Sequence, residues 1–527
     1  MTSMLEREAS PAEEAPVRWA KVIDQSSCIG CHACTTACKS ENEVPLGVTR
    51  TFVKYVDVGT FPTARRNYQV TRCNQCADAP CVTACPTKAM HVRPDGIVDF
   101  EKDVCIGCKA CIAACPYDAI FINPEDHSAE KCNFCAHRLD VGLEPACVVV
   151  CPTQAILIGD LNDTTSRVSQ IVHRDPVAVR RPEKDTQPKL FYKHGTQATL
   201  DPLAAERPSG NTFLWSEQRS GGQFVVGGHP AEANRQGSNS SAAAMLAYDI
   251  PHKAPWDWRV SLYTVTKAIA AGAYLVPLLL LLAGKIAATS PLWIWGAPIL
   301  GLIFLAITGG LLISDLTHPL RFYMIFTRPQ WKSWLVRGSF LIAGYGAALA
   351  LHLAAAWIGK TEILLPLAAA GAPLALATAI YTAFLFAQAK ARDLWQSALL
   401  SPHMAVQTVL AGAGATLLLA LAVEPQAAPS LYGTLFLSVA LHLLFLAGEV
   451  ALPHGTAHAR LAVWEMTTGR FKGYFVAGGV LLAATLVAPW IAPASPVVVA
   501  IAAIAALAGL LAHEHAYVQA GQSVPLA

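Results

Sequence analysis

Cysteine is absent from everything beyond Cys151 in this 527-residue chain, and charge of either sign is scarce. Charged residues make up only 14% of the chain and the net charge is +2, so nothing indicates a nucleic-acid partner. The opening stretch, "MTSMLEREASPAEEAPVRWAK", lacks the basic region, the apolar run and the twin arginine of an export signal. We therefore expect the cysteine-rich part to face the cytoplasm, where disulfides are rare and many cysteines favour metal binding.

Hydrophobic residues make up 53% of the chain and are concentrated in its second half. Residues 1–250 have the composition of a soluble protein, whereas residues 257–518 consist of long apolar stretches separated by short loops. All 16 cysteines lie between Cys28 and Cys151, which assigns them to one piece of chemistry. The sequence therefore predicts a cysteine-rich soluble domain followed by a membrane domain.

The cysteines fall into four groups of four, with none left over. The groups are Cys28, Cys31, Cys34 and Cys38; Cys73, Cys76, Cys81 and Cys85; Cys105, Cys108, Cys111 and Cys115; and Cys132, Cys135, Cys147 and Cys151. The spacing C-x2-C-x2-C-x3-C of the first and third groups is typical of iron–sulfur proteins. Because a [4Fe-4S] cluster takes four thiolates, the count predicts four clusters.

Two other metal groups compete for these cysteines. "CIGCH" at residues 28–32 is also the attachment signature of a c-type haem, but that assignment would leave Cys34 and Cys38 unused. Covalent haem attachment is also expected outside the cytoplasm. Structural zinc is an alternative for some groups, although zinc sites rarely show this spacing.

Residues 18–185, with these four groups, resemble the four-cluster electron-transfer subunit of the molybdopterin oxidoreductases of the dimethyl sulfoxide and polysulfide reductase type. The resemblance implies an α+β double ferredoxin-like domain with four [4Fe-4S] clusters. It implies that the last cysteine of a group binds the neighbouring cluster, with the second and third groups in one lobe and the first and fourth in the other. It also implies a catalytic partner subunit that carries molybdenum or tungsten on a pterin. Some relatives have tryptophan in the third group, but all four cysteines are present here, so we expect a cubane there too.

Residues 186–255 show no sustained hydrophobic period. The stretches "ERPSGN", "RSGGQ" and "RQGSNSSAAA" are typical of loops, whereas "KLFYKHGTQATLDPL" is more apolar. We expect an extended linker, with the latter stretch packed as an arm on the cysteine-rich domain.

Eight stretches are long and apolar enough to span a lipid bilayer, which needs about 20 residues each. They cover approximately residues 258–284, 291–315, 334–358, 364–388, 399–423, 430–452, 471–492 and 495–518. The sequence thus predicts an all-α transmembrane domain of eight helices over residues 256–527. Tryptophans stand at the ends of the first two spans, as an aromatic belt predicts: Trp256, Trp258, Trp293 and Trp295.

Basic residues are unevenly divided between the two sets of loops. Loops on the N-terminal side carry Arg321, Arg328, Lys332, Arg337, Lys390, Arg392, Arg460, Arg470 and Lys472. Loops on the other side carry only Lys285 and Lys360. The positive-inside rule therefore predicts a multi-pass protein of the inner (cytoplasmic) membrane with its iron–sulfur domain in the cytoplasm.

Residues 250–527 resemble the NrfD/PsrC family of membrane subunits. The resemblance rests on "WDWRVSLYTVTKAIAAGAYLVP", "SDLTHPLRFYMIFTRPQWKSWLVRGSF", "YTAFLFAQAKARDLW" and "AYVQAGQSVPL". It implies a quinone-binding domain for menaquinone or ubiquinone, with Asp315 and Tyr381 at quinone-site positions. Relatives often have a histidine or another polar group on the first helix, where this chain has Tyr263 and Lys267.

Ionisable groups inside membrane spans are costly and indicate function. Lys267 and Tyr263 share one face of the first helix. His318 follows Asp315 at the end of the second span, and Glu449 and His442 share one face of the sixth. With Tyr381, these residues are our candidates for the quinone site and its proton route, since all but His442 gather toward one half of the membrane.

Each candidate also has a structural explanation. The structural alternative for Lys267 is a paired or snorkelling lysine. For Tyr381 it is a packing residue, and for Asp315 it is a cap of the following loop. Glu449 is either a salt-bridged helix end or a proton relay. A b-type haem between His352 and His442 is a further alternative, although the two histidines differ in depth by about 9 Å.

These observations predict a subunit that relays electrons between a catalytic partner and the quinone pool without converting a substrate of its own. Two alternatives stay open. One is an ion-translocating module of a respiratory complex, and the other is a quinone-linked relay for a nickel–iron hydrogenase.

Overall fold

Two different parts make up the chain: a domain of short strands and helices that carries the cysteines, and a bundle of long apolar helices. The structure, a computed structural model, describes residues 17–59, 62–205, 244–491 and 495–526. The expectation of a small α/β cysteine domain followed by an apolar helical domain is confirmed.

Two small sheets and two hairpins form the β-structure of the described part of the N-terminal domain. The strands are β1 (Trp19–Asp24), β2 (Thr51–Val58), β3 (Arg65–Arg72), β4 (Met90–Val92), β5 (Val98–Phe100), β6 (Ile120–Ile122), β7 (Ala129–Lys131), β8 (Ile156–Asp160), β9 (Val177–Ala178), β10 (Leu190–Lys193) and β11 (Ala244–Tyr248). One sheet has the order β8-β1-β10-β9 and the other β11-β2-β3, while β4 pairs with β5 and β6 with β7.

Short helices follow the cysteine runs. They are α1 (Ala33–Glu41), α2 (Pro80–Ala84), α3 (Ala110–Ala114), α4 (Ala136–Leu139) and α5 (Ala146–Val149), followed by α6 (Arg167–Arg174) and α7 (Gln197–Leu200). Helix α2 packs on α3, and α1 packs on α5. The second and third cysteine groups therefore lie in one lobe, and the first and fourth in another.

The described ends of the expected linker are parts of the sheets. Strand β10 lies parallel to β1, with Leu190 and Tyr192 fully buried, and β11 pairs antiparallel with β2. Alternating apolar side chains explain why these short stretches add to a sheet rather than form a tether. Residues 206–243, which contain most of the Gly/Ser-rich stretches, lie outside the described residues.

Long helices form the C-terminal domain. They are α8 (Trp258–Leu282), α9 (Ala297–Ser314), the short α10 (Met324–Thr327), α11 (Trp334–Trp357), α12 (Leu364–Gln388), α13 (Leu400–Val423), α14 (Ala428–Ala451), α15 (Ala457–Thr467), α16 (Lys472–Ile491) and α17 (Pro496–Ser523). Among the described residues, seven helices are long and apolar enough to cross a membrane, and α15 with α16, bent by 67°, provides up to one more.

Both ends of the helical domain meet the cysteine domain. The backbone N–H of Trp256, just before α8, donates to Gln522 Oε1 at the end of α17 (3.1 Å). Arg180 of the cysteine domain donates to the carbonyl of Leu526 (2.8 Å), beyond α17. The first and last helices therefore have their outer ends on the same side, as an even number of crossings requires.

Candidate functional site

The "CIGCH" segment has the same backbone geometry as the third cysteine group. Gly30 and His32 have φ values of 69° and 60°, and Gly107 and Lys109 have 69° and 61°. The His32 ring lies 2.6 Å from the Tyr55 hydroxyl through Nε2. Because the histidine occupies the position of a lysine in the repeated loop and is engaged elsewhere, the geometry favours an iron–sulfur loop over a haem attachment site.

The sixteen thiols, none of them in a disulfide, gather into four sets. Set A lines one recess and consists of Cys85, Cys105, Cys108 and Cys111. Set D lines another recess and consists of Cys28, Cys31, Cys34 and Cys151. In both sets, three cysteines come from one group and the fourth is the last cysteine of another group, as the family resemblance implies.

Set B consists of Cys73, Cys76, Cys81 and Cys115. Burial raises the pKa of Cys115 to about 12, and negative charge on Cys73 and Cys76 adds to the rise. The same neighbours, with Cys115, raise the pKa of the buried Cys81 thiol. Four thiols so close together and so far from water repel one another as thiolates, and a bound iron cluster removes that repulsion.

Set C consists of Cys38, Cys132, Cys135 and Cys147. Burial raises the pKa of Cys38 to about 12, and the other three thiols contribute to the rise. Each of the four sets therefore offers four thiols. Fifteen of the sixteen are buried or half-buried, and Cys31 is exposed. That donor set fits a [4Fe-4S] cluster.

Two buried cations lie against one thiol of set C. Arg72 Nη1 donates to Cys147 Sγ at 2.9 Å, and Lys21 Nζ donates to the same sulfur at 3.5 Å. Burial alone would raise the pKa of Cys147, but Arg72 and Lys21 outweigh it and lower the pKa to about 7. These two side chains stabilise negative charge at set C.

Electrostatic interactions between neighbouring thiols connect the sets in the order A, B, C and D. Electrostatic contact joins Cys111 of set A to Cys81 of set B. Cys73 of set B is in contact with set C in the same way, and Cys34 of set D interacts with Cys147 of set C. Such a series can carry electrons over a distance that one cluster cannot span.

Residues 315–333, between α9 and α11, dock on the loop that carries set A. The backbone N–H of His318 donates to the carbonyl of Ile106 (3.2 Å), and Arg321 Nη1 donates to the carbonyl of Cys105 (3.0 Å). The segment singled out by its resemblance to the NrfD/PsrC family is therefore the part that contacts set A.

Trp256 is a second contact between the domains. Its indole N–H donates to the carbonyl of Cys108 (3.2 Å), and its ring stacks on Phe386 and Trp395. The sequence suggested a membrane-belt residue, but Trp256 and Trp293 are both buried, because each packs on other rings inside the helical domain. Trp258, more than half exposed, fits the belt.

A cavity of about 220 Å³ lies where the two domains meet. Cys108 lines it from the cysteine domain, and Trp256, Tyr263, Asp315 and Tyr381 are among the side chains that line it from the helical domain. Most of the remaining lining is aliphatic or aromatic. An apolar cleft with a few polar groups is typical of a site for a largely apolar ring.

Asp315 is held by a salt bridge across the domain boundary. Lys109 Nζ lies 2.9 Å from its carboxylate, which is 9% exposed. Burial raises the pKa of Asp315, and Lys109 opposes that rise. A carboxyl group with a perturbed pKa at the wall of a cavity is a candidate functional group.

Lys267 lies behind the cavity wall rather than in it. Its ammonium group donates to Thr382 Oγ1 and lies 4.8 Å from the ring centroid of Tyr381 and 6.0 Å from that of Tyr263. It is 2% exposed, so it is a paired lysine inside the bundle and does not snorkel.

The remaining two candidates lie outside the cavity. His318 packs beside His127, with ring centroids 6.4 Å apart, on the docked segment. Glu449 is buried near the end of α14, and its backbone carbonyl oxygen lies 2.8 Å from Nε2 of His454. The structure thus brings Asp315, Tyr263 and Tyr381 together and leaves His318 and Glu449 apart from them.

Sequence reasoning missed several buried polar groups. Gln407 donates to Glu514 at 2.7 Å, and Glu514 acts electrostatically on Lys267. His403 and His513 are buried beside His442. Their positions inside apolar spans were the available signal, but their meeting depends on helix packing.

The two haem b candidates have different neighbours. His352 Nδ1 lies 3.2 Å from the Tyr274 hydroxyl, and its ring packs edge-on against Trp293. His442 Nδ1 lies 2.8 Å from His403 Nε2.

Comparisons with known proteins match both parts of the chain. Residues 249–526 match the family model described as "Polysulphide reductase, NrfD". Residues 64–161 match a "4Fe-4S dicluster domain" and residues 19–40 a "4Fe-4S binding domain".

Several curated relatives match the N-terminal part. A tetrathionate reductase subunit of Salmonella typhimurium is 43% identical over 204 residues, 38% of this chain and 80% of that protein. A polysulfide reductase subunit of Wolinella succinogenes is 44% identical over 177 residues, 33% of this chain and 93% of that protein. The arsenate respiratory reductase iron-sulfur subunit of Shewanella sp. is 37% identical over 224 residues, 33% of this chain and 96% of that protein.

Both resemblances noted in the sequence are therefore confirmed. The chain carries 4Fe-4S ferredoxin domains fused to a multi-pass membrane domain, and it belongs to the NrfD family of polysulphide-reductase-type membrane subunits.

Proposed function

We propose that this chain relays electrons between a molybdopterin (Mo/W) catalytic subunit and the membrane quinone pool. In this proposal, residues 18–185 carry four [4Fe-4S] clusters, 186–255 connect the domains, and 256–527 bind the quinone. The observation that carries the proposal is the cavity that Cys108 of set A lines together with Asp315 and Tyr381. A quinone ring there would lie beside one end of the line of thiol sets.

Sets A to D would each hold one cluster. When bound, iron–sulfur clusters supply one-electron transfer, and their potentials follow local charge and hydrogen bonding. The chain's own contribution is to hold the thiols in four buried sets, to place Arg72 and Lys21 beside set C, and to keep set A against the membrane domain.

The opposite end of the line suggests where electrons enter or leave. Set D includes the exposed Cys31, and Ile29, Val149 and Val150 expose apolar side chains next to cysteines of sets C and D. Apolar surface of this kind is typical of a protein interface. We propose that the catalytic subunit docks there.

Asp315 and Tyr381 would serve the two carbonyl groups of the quinone. Reduction of a quinone takes two electrons and two protons, so each carbonyl needs a group that can donate a hydrogen bond or a proton. Asp315, with a pKa raised by burial, would pass a proton to the ring, and Lys109 would hold its carboxylate in place. Lys267 would set the position of Tyr381 from behind. We propose menaquinone or ubiquinone as the quinone.

The orientation follows from the loops: the basic side of the membrane domain is the side that contacts the cysteine domain. We propose that this side is the cytoplasm, in the inner membrane. With clusters in the cytoplasm, oxidation of an internal donor with quinone as acceptor is the direction we favour.

Asp315→Asn tests the quinone site. We expect the purified complex with this substitution to lose quinone-linked turnover while its clusters are still reduced by the partner. Asp257→Asn is the matched control, since Asp257 is 45% exposed at the start of α8 and does not line the cavity. Unchanged quinone rates in Asp315→Asn would remove Asp315 from the site.

A further inference from the structure

Three histidines from three helices meet inside the membrane domain. His403 of α13, His442 of α14 and His513 of α17 each have one ring nitrogen within 4.8 Å of those of the other two. They are 4%, 0% and 2% exposed. We call them the histidine triad. It lies apart from the cavity, none of whose lining residues belongs to it.

The triad contains more hydrogen-bonding capacity than its surroundings satisfy. His403 Nε2 and His442 Nδ1 lie 2.8 Å apart, so one hydrogen bond joins this pair. His442 Nε2 and His513 Nδ1 are buried and have no hydrogen-bond partner among the described residues. A buried polar atom without a hydrogen-bond partner is unfavourable, so two of them in one cluster indicate a shared partner.

The shape of the triad suits a small cation. Imidazole nitrogens bind zinc at about 2.0–2.1 Å, so three ligands around one ion lie within roughly 3.5 Å of each other. Small rotations of three adjacent rings bridge the difference from the observed spacing.

Two buried carboxyl groups lie on the helices that carry the triad. Glu449 and Glu514 stand on the same two helices as His442 and His513, and each has a buried carboxylate oxygen without a hydrogen-bond partner among the described residues. Both carboxyl groups interact electrostatically with Tyr517, and the ring centroid of Tyr517 lies 6.1 Å from that of His513. A divalent cation bound by neutral imidazoles would thus have counter-charges inside the bundle.

We propose that the histidine triad binds one first-row transition-metal dication of the zinc type, independently of the iron–sulfur sets. Imidazole is a preferred ligand for such ions, and three histidines leave a fourth position for water or a carboxylate. The ion would join the consecutive helices α13 and α14 to α17, the last helix of the bundle.

The test is metal analysis of the purified full-length protein, treated with chelator and then given Zn²⁺ alone under anaerobic conditions. We expect about one zinc per molecule in addition to iron, with nitrogen ligands at about 2.0 Å by X-ray absorption. Zinc in vacant iron–sulfur sites would instead show sulfur ligands at about 2.3 Å, and that result, or no retained zinc, would overturn the proposal.

Substitutions provide a second readout. We expect His442→Ala and His513→Gln to lower retained zinc at least tenfold with iron content unchanged. His352→Gln is the matched control, since His352 is also buried in the membrane domain but lies with Tyr274 and Trp293. Equal zinc in the triad variants and the control would contradict the site, and the spectrum of the unmodified protein decides the matter even where a variant misfolds.

Discussion

Replacing Arg72 with glutamine isolates the effect of one buried charge on one set of thiols. Arg72 is 1% exposed and donates to Cys147 Sγ of set C at 2.9 Å. Reduction adds a negative charge to a cluster, so a cation beside it raises the reduction potential. At about 5 Å from the cluster centre and an effective dielectric constant of about 20, one unit charge contributes roughly 3 kcal/mol. For a one-electron couple this corresponds to roughly 140 mV.

We expect the potential of one cluster in Arg72→Gln to fall by about 50 to 140 mV, because water entering behind the shorter side chain replaces part of the lost charge. Redox titration followed by electron paramagnetic resonance measures the shift. Arg72→Lys should keep most of the original potential. Arg66→Gln is the matched control, since Arg66 lies on the same strand but is 48% exposed and paired with Asp57. A shift below about 20 mV in Arg72→Gln, or an equal shift in Arg66→Gln, would refute the reasoning.

Three further predictions test other parts of the account. Gly107→Ala should lower the thermal midpoint by more than Gly142→Ala, because both glycines have positive φ but only a Cβ at Gly107 would overlap Thr317. We expect Gly107→Ala to lose about 1–3 kcal/mol more of the free energy of unfolding, from the disturbed docking. Equal losses in the two variants would contradict this reasoning. Cys108→Ser should lose one cluster or convert it to a three-iron form, which removes between about one and about four of about sixteen irons per molecule. An iron content of about eight per molecule in the unmodified protein would show that half of the ligand assignments are wrong. His252→Gln should flatten the dependence of stability on pH. Burial opposes ionisation of His252, but Asp249 and Asp118 raise its pKa to about 9. The contribution of the charged His252 to folding stability is therefore complete below about pH 6.5 and is lost as the pH rises through 9. That contribution is up to about 3 kcal/mol, and thermal unfolding at pH 6 and pH 10 measures it; an unchanged slope in the variant would exclude this role.

The membrane helices were predictable because a run of some twenty apolar residues is a strong signal in any sequence. The structure begins α8 at Trp258 and ends α12 at Gln388, as expected. The 67° bend between α15 and α16 was not predictable, because α15 looks like a loop when hydropathy alone is read.

Tertiary contacts explain what the sequence could not reveal. Arg321 and Arg392 counted as basic loop residues, yet Arg321 binds the carbonyl of Cys105 and Arg392 is buried against the carbonyl of Gln522. Some of the basic residues on that side of the membrane domain therefore form hydrogen bonds between segments of the protein. The spacing of the cysteines indicated a metal site and the family resemblance implied how the groups interleave, while the fold shows which thiols lie together.

Lys267 and the histidine triad make the same point inside the bundle. The sequence of an apolar helix does not show which groups surround a lone lysine, and the fold places Lys267 against Thr382 and Tyr381. His403 and His513 gave no indication of meeting, because three helices must first pack with one particular register.

The most direct test of the central claim is a cryo-electron microscopy map of the purified protein with quinone added. The account predicts an iron–sulfur cube on Cys85, Cys105, Cys108 and Cys111, and a quinone head group in the adjacent cavity between Asp315 and Tyr381. A quinone bound at the far end of the helices from the cysteine domain, or a porphyrin in that cavity, would contradict it.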